Sequence, residues 1–240
     1  MRILGIDTSS MTCSVALTID GQVIDTSYTS GRSHSGHLMG LIDDALRLAG
    51  AGLSDLDAFA VTRGPGTFTG LRVGISAAKG MALACGKPLV GISGLDALAA
   101  QSALPFGLLC SMVDARRSEV YCACYRLIDG QLTRVSAEKA LPPAKALEAI
   151  SEACLFVGNG AELYRKLIET AMGDLGAVAP PLQSIIRAST IARLAAERLQ
   201  SGKVDDAGQL IPLYIRQSDA QLRLGRKQAV AGDCGAGDRR

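Results

Sequence analysis

The opening pattern of the chain occurs twice. Residues 1–30, MRILGIDTSSMTCSVALTIDGQVIDTSYTS, align with residues 108–138, LLCSMVDARRSEVYCACYRLIDGQLTRVSAE. Asp7 is matched by Asp114, and Asp20-Gly21-Gln22 by Asp129-Gly130-Gln131, in the same order and at nearly the same spacing. Each Asp-Gly pair sits between strand-like apolar runs, the commonest short hairpin signal. Each copy therefore reads as a β-meander, and the meander is followed in each half by helical and strand patterns. A duplicated α/β fold follows, with two lobes that each carry a mixed sheet and flanking helices.

In the first half, strands are expected at residues 3–7, 13–19 and 23–28, a helix at 33–48, a strand at 58–62, a helix at 70–85 and a strand at 88–92. The second half continues with a helix at 144–152, a strand at 154–157 and helices at 161–172 and 188–200. The domains expected are an N-terminal lobe, 1–103, a C-terminal lobe, 104–216, and a Gly- and Ala-rich polar tail, 217–240, with no packed core.

The 240 residues are 48% hydrophobic, ample for such a core. The formal charge is +2, from 25 basic and 23 acidic side chains, which excludes a global electrostatic case for nucleic acid or membrane binding. Seven cysteines with no CxxC pair fit reduced thiols in a cytoplasm. The apolar run of MRILGIDTSS is too short for a secretory leader, and no stretch of 18 or more apolar residues is present to cross a bilayer.

RGPGTFTGLRVG, residues 63–74, joins an expected strand to an expected helix. It lacks the Gly-Lys-Ser/Thr ending that grips phosphates, so its glycines are read as serving turn geometry and close backbone approach. Thr69 is a candidate cap. The helix after it carries an apolar, mostly small stripe at Leu71, Gly74, Ile75, Ala78 and Ala82, with only Arg72 and Lys79 charged. The preceding helix carries Leu38, Leu41, Ile42, Ala45 and Leu48, with Asp43, Asp44 and Arg47 turned away. One apolar stripe per helix is what a sheet-covering helix needs, but a helix so poor in charge is expected to be buried on more than one side.

ILGIDTSS at 3–10, the RxHS segment at 32–35, GPGTFTGLRVGISAAKGMA at 64–82, VDARRSEVY at 113–121, VGNGA at 157–161 and PLYIR at 212–216 resemble the TsaB family. The resemblance runs from residue 1 to about 216. It implies the two-lobed ASKHA fold of actin, Hsp70 and the sugar kinases, whose nucleotide lies between the halves. It also implies a non-catalytic dimerisation subunit in the bacterial machinery that makes N6-threonylcarbamoyladenosine at position 37 of tRNAs reading codons that begin with A.

Partners implied by the resemblance are TsaD, the transferring sister subunit, in a heterodimer; TsaE, through the assembled complex; and a second copy of the chain when TsaD is absent. The partner-binding residues are then the two stripes, Leu38, Leu41, Ile42 and Ala45 with Leu71, Gly74, Ile75, Ala78 and Ala82. Contact with tRNA is expected to be indirect or weak, with a basic run at 223–227 as its candidate. No intrinsic cofactor and no membrane partner are expected, and ATP or ADP belongs to the assembled complex.

The residues agree with a chain that does no chemistry. Asp7-Thr8-Ser9-Ser10 has a side chain where an actin-like phosphate turn has glycine. The candidate nucleotide contacts are Asp7, Asp114, Gly158 and Gly160; the competing reading gives the two aspartates turn amides to hold and the glycines a tight strand-to-helix turn. The only histidines, His34 and His37, supply two ligands where a catalytic metal needs three, so no metal site is expected. Ser9, Ser10, Ser35 and Ser93 lack a base close in sequence. Cys122 and Cys124 alternate along a strand as core residues. The alternative function is a stand-alone nucleotide-hydrolysing or peptidase-like enzyme of the same fold.

Overall fold

The computed structural model describes residues 1–19, 22–29, 35–102 and 107–216. His34, the Asp20-Gly21 turn, the basic run at 223–227 and the tail at 217–240 lie outside them. The first sheet contains β1 (Arg2–Asp7), β2 (Thr12–Ile19), β3 (Gln22–Thr29), β4 (Ala58–Gly64) and β5 (Leu89–Ser93), in the order β3-β2-β1-β4-β5. The meander β1–β2–β3 is antiparallel, whereas β4 and β5 add in parallel on the other side of β1.

The second sheet contains β6 (Leu108–Arg116), β7 (Glu119–Ile128), β8 (Gln131–Arg134), β9 (Lys139–Leu141), β10 (Cys154–Val157) and β11 (Gly176–Val178). Its order, β11-β10-β6-β7-β8, is the first sheet's order repeated, with β9 added against β7. The duplication read from the sequence is thus a duplication of topology. Asp129 and Gly130 take φ of 50° and 75°, the left-handed pair of a tight hairpin between β7 and β8.

The helices are α1 (Ser35–Ala49), α2 (Phe68–Cys85), α3 (Gly94–Ser102), α4 (Pro143–Glu148), α5 (Asn159–Leu163), α6 (Arg165–Met172) and α7 (Ala188–Gln200). Three apolar cores separate them into layers. α1 and α2 cover the outer face of the first sheet, meeting Leu4, Ile6, Val15, Leu17, Phe59 and Val61. α3 and α7 lie between the sheets, with Ile3, Ala60 and Val90 on one side and Leu109, Val113 and Tyr125 on the other. α4, α5 and α6 close the outer face of the second sheet over Cys110, Met112 and Phe156. With both faces covered, β1 and β4 read as continuous apolar runs without alternation. Among the described residues no helix is long and apolar enough to cross a membrane.

The sequence reading missed α3 and β11. α3 buries Leu95, Ala97, Leu98 and Ala99 between two sheets, so GLDALAAQS has no polar stripe to betray a helical period. β11 is a three-residue strand at the sheet edge, too short to show alternation. The helix expected at 161–172 is two helices meeting at Tyr164, where φ is −106° and ψ 21°. The helix expected at 144–152 ends at Glu148.

The boundary expected at 103/104 separates the two sheets, but the last described segment crosses back over it. α7 packs on the first sheet, Asp205 bridges Leu89 at the edge of β5, and the Leu213 amide donates to Arg63 O at 2.7 Å. Lys79 of α2 donates to Gly208 O at 2.9 Å and Leu210 O at 3.2 Å, and Arg216 pairs with Glu119 of β7 at 3.0 Å.

Candidate partner interface

The glycine-rich turn is built for close approach to the chain's own first hairpin. Thr8 Oγ1 donates to Gly70 O at 2.7 Å, and the Thr67 amide donates to Ser9 O at 2.8 Å. A Cβ on Gly66 would meet Ser9 O, one on Gly70 would meet Thr8 O, and one on Gly74 would meet Thr8 Oγ1. These glycines let the start of α2 lie directly on the turn after β1. The helix begins at Phe68 with Thr67 at its N-cap position, so Thr69 is not the cap.

Asp7 is buried, and its Oδ1 accepts the Ser9 hydroxyl at 2.7 Å and the Ser9 amide at 3.3 Å. The turn is closed by its own side chains. In the second lobe Asp114 Oδ1 accepts the Arg116 amide at 2.8 Å, and the Asp114 amide donates to Asn159 Oδ1 at 3.1 Å. Gly158, at φ 107°, and Gly160 press on the β6 backbone at Met112 and Val113. The structure therefore joins Asp114 to the Gly158-Gly160 turn, and it gives all four candidate nucleotide contacts work inside their own lobes. A cavity of about 1190 Å³ between α3, α7 and the β7–β8 hairpin is lined by other residues, among them Asp96, Tyr125, Arg134 and Arg198. There the Tyr125 hydroxyl donates to Asp96 Oδ1 at 2.9 Å, and Arg134 pairs with the same carboxylate at 2.6 Å. Burial, then the Asp96 charge, raises the Tyr125 phenol well above its ordinary range.

The stripes assigned to a partner face inward, which corrects that assignment. Leu38, Ile42, Ala45, Leu71, Ile75, Ala78 and Ala82 are each no more than 3% exposed within the single chain, and Gly74 is buried against Thr8. Leu41 is half-buried on the same core. Side chains already in a core have no area left to bury against another protein. The stripe reading failed because α2 is apolar nearly all round, so periodicity alone gave no inner side.

The opposite face is the open one. On α2 it presents Ser76, Gly80, Leu83 and Ala84, with Val73 and Ala77 half-buried; on α1 it presents Gly36, Met39 and Gly40, with Asp43 and Leu48. Met39 and Leu83 are 55% and 63% exposed. Gly36 and Gly40 are four apart, as are Ser76, Gly80 and Ala84, so small residues form a strip along each helix. A Cβ on Gly40 or Gly80 would meet nothing within 4 Å, so neither glycine is required by packing in this chain.

Both helices are stopped squarely. Gly86, at φ 62°, donates to Leu83 O and Lys87 donates to Ala82 O; Gly50 and Ala51 repeat the pattern on Arg47 and Leu46. The charges on α2 are held by the returning segment: Lys79 by its carbonyls, and Arg72 by Tyr214 Oη at 3.3 Å, over the ring of Phe68. Phe68 and Tyr214 stack at 5.4 Å. Drawing both charges onto the returning segment leaves the α2 side of the open face uncharged. Sequence reasoning missed Gly40, Gly80, Met39 and Leu83, although two helix-interior glycines on the face opposite the core stripe were a usable signal.

Residues 26–224 match the family TsaD: tRNA N6-adenosine threonylcarbamoyltransferase. The tRNA threonylcarbamoyladenosine biosynthesis protein TsaB of Bacillus subtilis is 32% identical, over 93% of this chain and 97% of that protein. TsaB of Escherichia coli is 31% identical, over 95% of this chain and 100% of that protein. A crystal structure of a Pseudomonas aeruginosa protein, described as uncharacterized and similar to the peptidase YeaZ, superposes with a TM-score of 0.77 at 32% identity, covering 90% of this chain and 99% of that one.

Proposed function

The chain belongs to the TsaB family of tRNA threonylcarbamoyladenosine biosynthesis proteins, and within that pathway we propose that it is a docking subunit that holds a TsaD-type transferase without performing the transfer. The observation that carries this is the open face of α1 and α2. Gly40 and Gly80 each sit inside an exposed helix, where glycine costs roughly 1 kcal/mol relative to alanine, with no contact in this chain to require it. Small strips on two adjacent helices allow two helices of another protein to approach closely, flanked by Met39 and Leu83 as apolar anchors. The pair so formed is a four-helix packing. The same face serves a second copy of the chain when no transferase is present, so the two assemblies compete.

TsaE joins through the assembled complex, tRNA contact is indirect, and any ATP or ADP belongs to that complex. The closed turns at Asp7 and Asp114 favour this over a nucleotide site in the chain alone. The alternative, an enzyme acting by itself, needs an activated nucleophile. Ser9 Oγ donates to Asp7, while Ser93 Oγ donates to Glu138 at 2.5 Å and accepts the Leu95 amide at 3.2 Å, so both buried hydroxyls hold turns and helix starts.

The test is sedimentation of the purified chain alone and mixed with a TsaD-type transferase, comparing wild type with Leu83→Glu and Gly80→Glu. Both variants place a charge on the open face, and they are expected to keep the wild-type circular dichroism while losing self-association and heterodimer. Ala78→Glu, which places the charge in the core, is expected to unfold the chain. Unchanged association of folded Leu83→Glu and Gly80→Glu overturns the assignment of the face. Turnover of a nucleotide or peptide by the chain alone, lost in Asp7→Asn, overturns the non-catalytic role.

A further inference from the structure

Cys110, Cys122, Cys124 and Cys154 share the outer face of the second sheet, in the core closed by α4, α5 and α6. In the β6–β7 register Cys110 stands directly opposite Cys124. The Cys124 amide donates to Ser136 Oγ at 2.8 Å, and its carbonyl accepts the Val135 amide at 2.8 Å. In an extended strand both backbone polar groups of one residue point to the same side, here away from β6. Cys110 and Cys124 are therefore a non-hydrogen-bonded pair, the type in which Cα atoms approach to about 4.5 Å and side chains lie closest. That separation falls inside the roughly 4.4–6.8 Å that a disulfide spans.

The two thiols differ in their surroundings. Cys110 is buried, whereas Cys124 is half-buried and reachable from the surface beside the Arg126–Glu152 ion pair. We propose that Cys110 and Cys124 form a peroxide-responsive thiol pair, in which half-buried Cys124 is oxidised first and Cys110 resolves it into a cross-strand disulfide between β6 and β7. The neighbouring Cys110 thiol, the Ser136 hydroxyl and the Arg126 charge bring the Cys124 thiol down to about 7 against the opposing effect of burial. The proximity of Cys124, followed by burial, pushes Cys110 well up, and burial pushes Cys13 and Cys122 up to about 11. The accessible thiol and its buried neighbour thus stand on adjacent strands, Cys124 on β7 and Cys110 on β6.

The chemistry balances with hydrogen peroxide as the oxidant. The Cys124 thiolate attacks one peroxide oxygen, the O–O bond breaks, and the leaving hydroxide takes a proton to become water, leaving a sulfenic acid. The Cys110 sulfur, giving up its proton, then attacks the Cys124 sulfur; the S–O bond breaks and the second oxygen leaves as water. Two thiols lose two electrons to one peroxide, and two waters form.

The experiment exposes the reduced full chain to one equivalent of hydrogen peroxide, blocks remaining thiols with N-ethylmaleimide and maps the unreduced peptides by mass spectrometry. The expected product joins the peptides of Cys110 and Cys124, and reduction with dithiothreitol separates them. With Cys110→Ala, dimedone is expected to label Cys124. With Cys124→Ser the rate of peroxide consumption is expected to fall on the order of tenfold, because the thiolate, not the thiol, is the nucleophile. A disulfide through Cys85, Cys122 or Cys154 in the wild-type chain, or recovery of Cys124 as the free thiol, overturns the proposal. The wild-type map decides even if a substituted chain fails to fold.

Discussion

Thr8 and Gly70 are joined by a 2.7 Å hydrogen bond from the Thr8 hydroxyl to the Gly70 carbonyl, and the absence of a side chain at Gly70 is what lets them meet. The bond fixes the start of α2 on the turn after β1. It places one face of α2 on the sheet and leaves the other in solvent.

Gly70→Ala is expected to destabilise the chain by about 1–3 kcal/mol, because the new methyl group would strike a backbone carbonyl that has no rotamer through which to move aside. Urea unfolding at fixed temperature measures it as a lowered midpoint with an unchanged slope. A midpoint equal to wild type would mean that α2 does not lie as close to Thr8 as described.

Gly80→Ala acts in the opposite sense on the isolated chain. A Cβ there meets nothing, so the substitution is expected to stabilise the unassociated chain by roughly 0.5–1 kcal/mol through helix propensity. It is expected to weaken association, because it fills the strip that a partner helix approaches. Thermal unfolding of dilute chain and an association constant from sedimentation read the two effects separately, and tighter association would contradict the close-approach reading.

Tyr125→Phe removes the hydroxyl held by Asp96 between the sheets and is expected to cost about 1–2 kcal/mol at pH 7. Burial raises the Tyr125 phenol in the folded chain, so the neutral phenol favours folding below its unfolded value of about 10, and this contribution declines as pH rises above that value. Cys13 behaves alike: burial, then the Asp7 charge, raises it from 9.0 to about 11, so its contribution is complete below pH 9 and is lost between about 9 and 11. Stability measured by urea unfolding from pH 8 to 11 is therefore expected to fall, and to fall less steeply in Tyr125→Phe. An equal slope in both chains would remove Tyr125 from the account.

Most strands and the duplication were legible because alternation, apolar runs and Asp-Gly turns are local signals. The repeated Asp7 and Asp114 located the two meanders, and the identical strand order of the two sheets follows from them. α3 was not legible, since a helix buried on both sides carries no stripe. For the candidate site the sequence singled out α1 and α2, but by the face of each that packs in the chain's own core. Leu71, Gly74, Ile75 and Ala78 looked like an interface because they are small and apolar, and those same properties suit a helix pressed on a sheet by Thr8 and Val61.

The sequence by itself determined the duplicated α/β class, the family, and the presence of a nearly uncharged helix after a glycine-rich turn, all of which depend on residue type and spacing along the chain. Only the tertiary structure decided which side of that helix is already occupied. Burial is a property of neighbours far apart in sequence: Thr8 fills the space at Gly74, and the segment around Gly208 and Leu210 takes the charge of Lys79. What those contacts leave uncovered is the exposed face from Gly40 to Leu83.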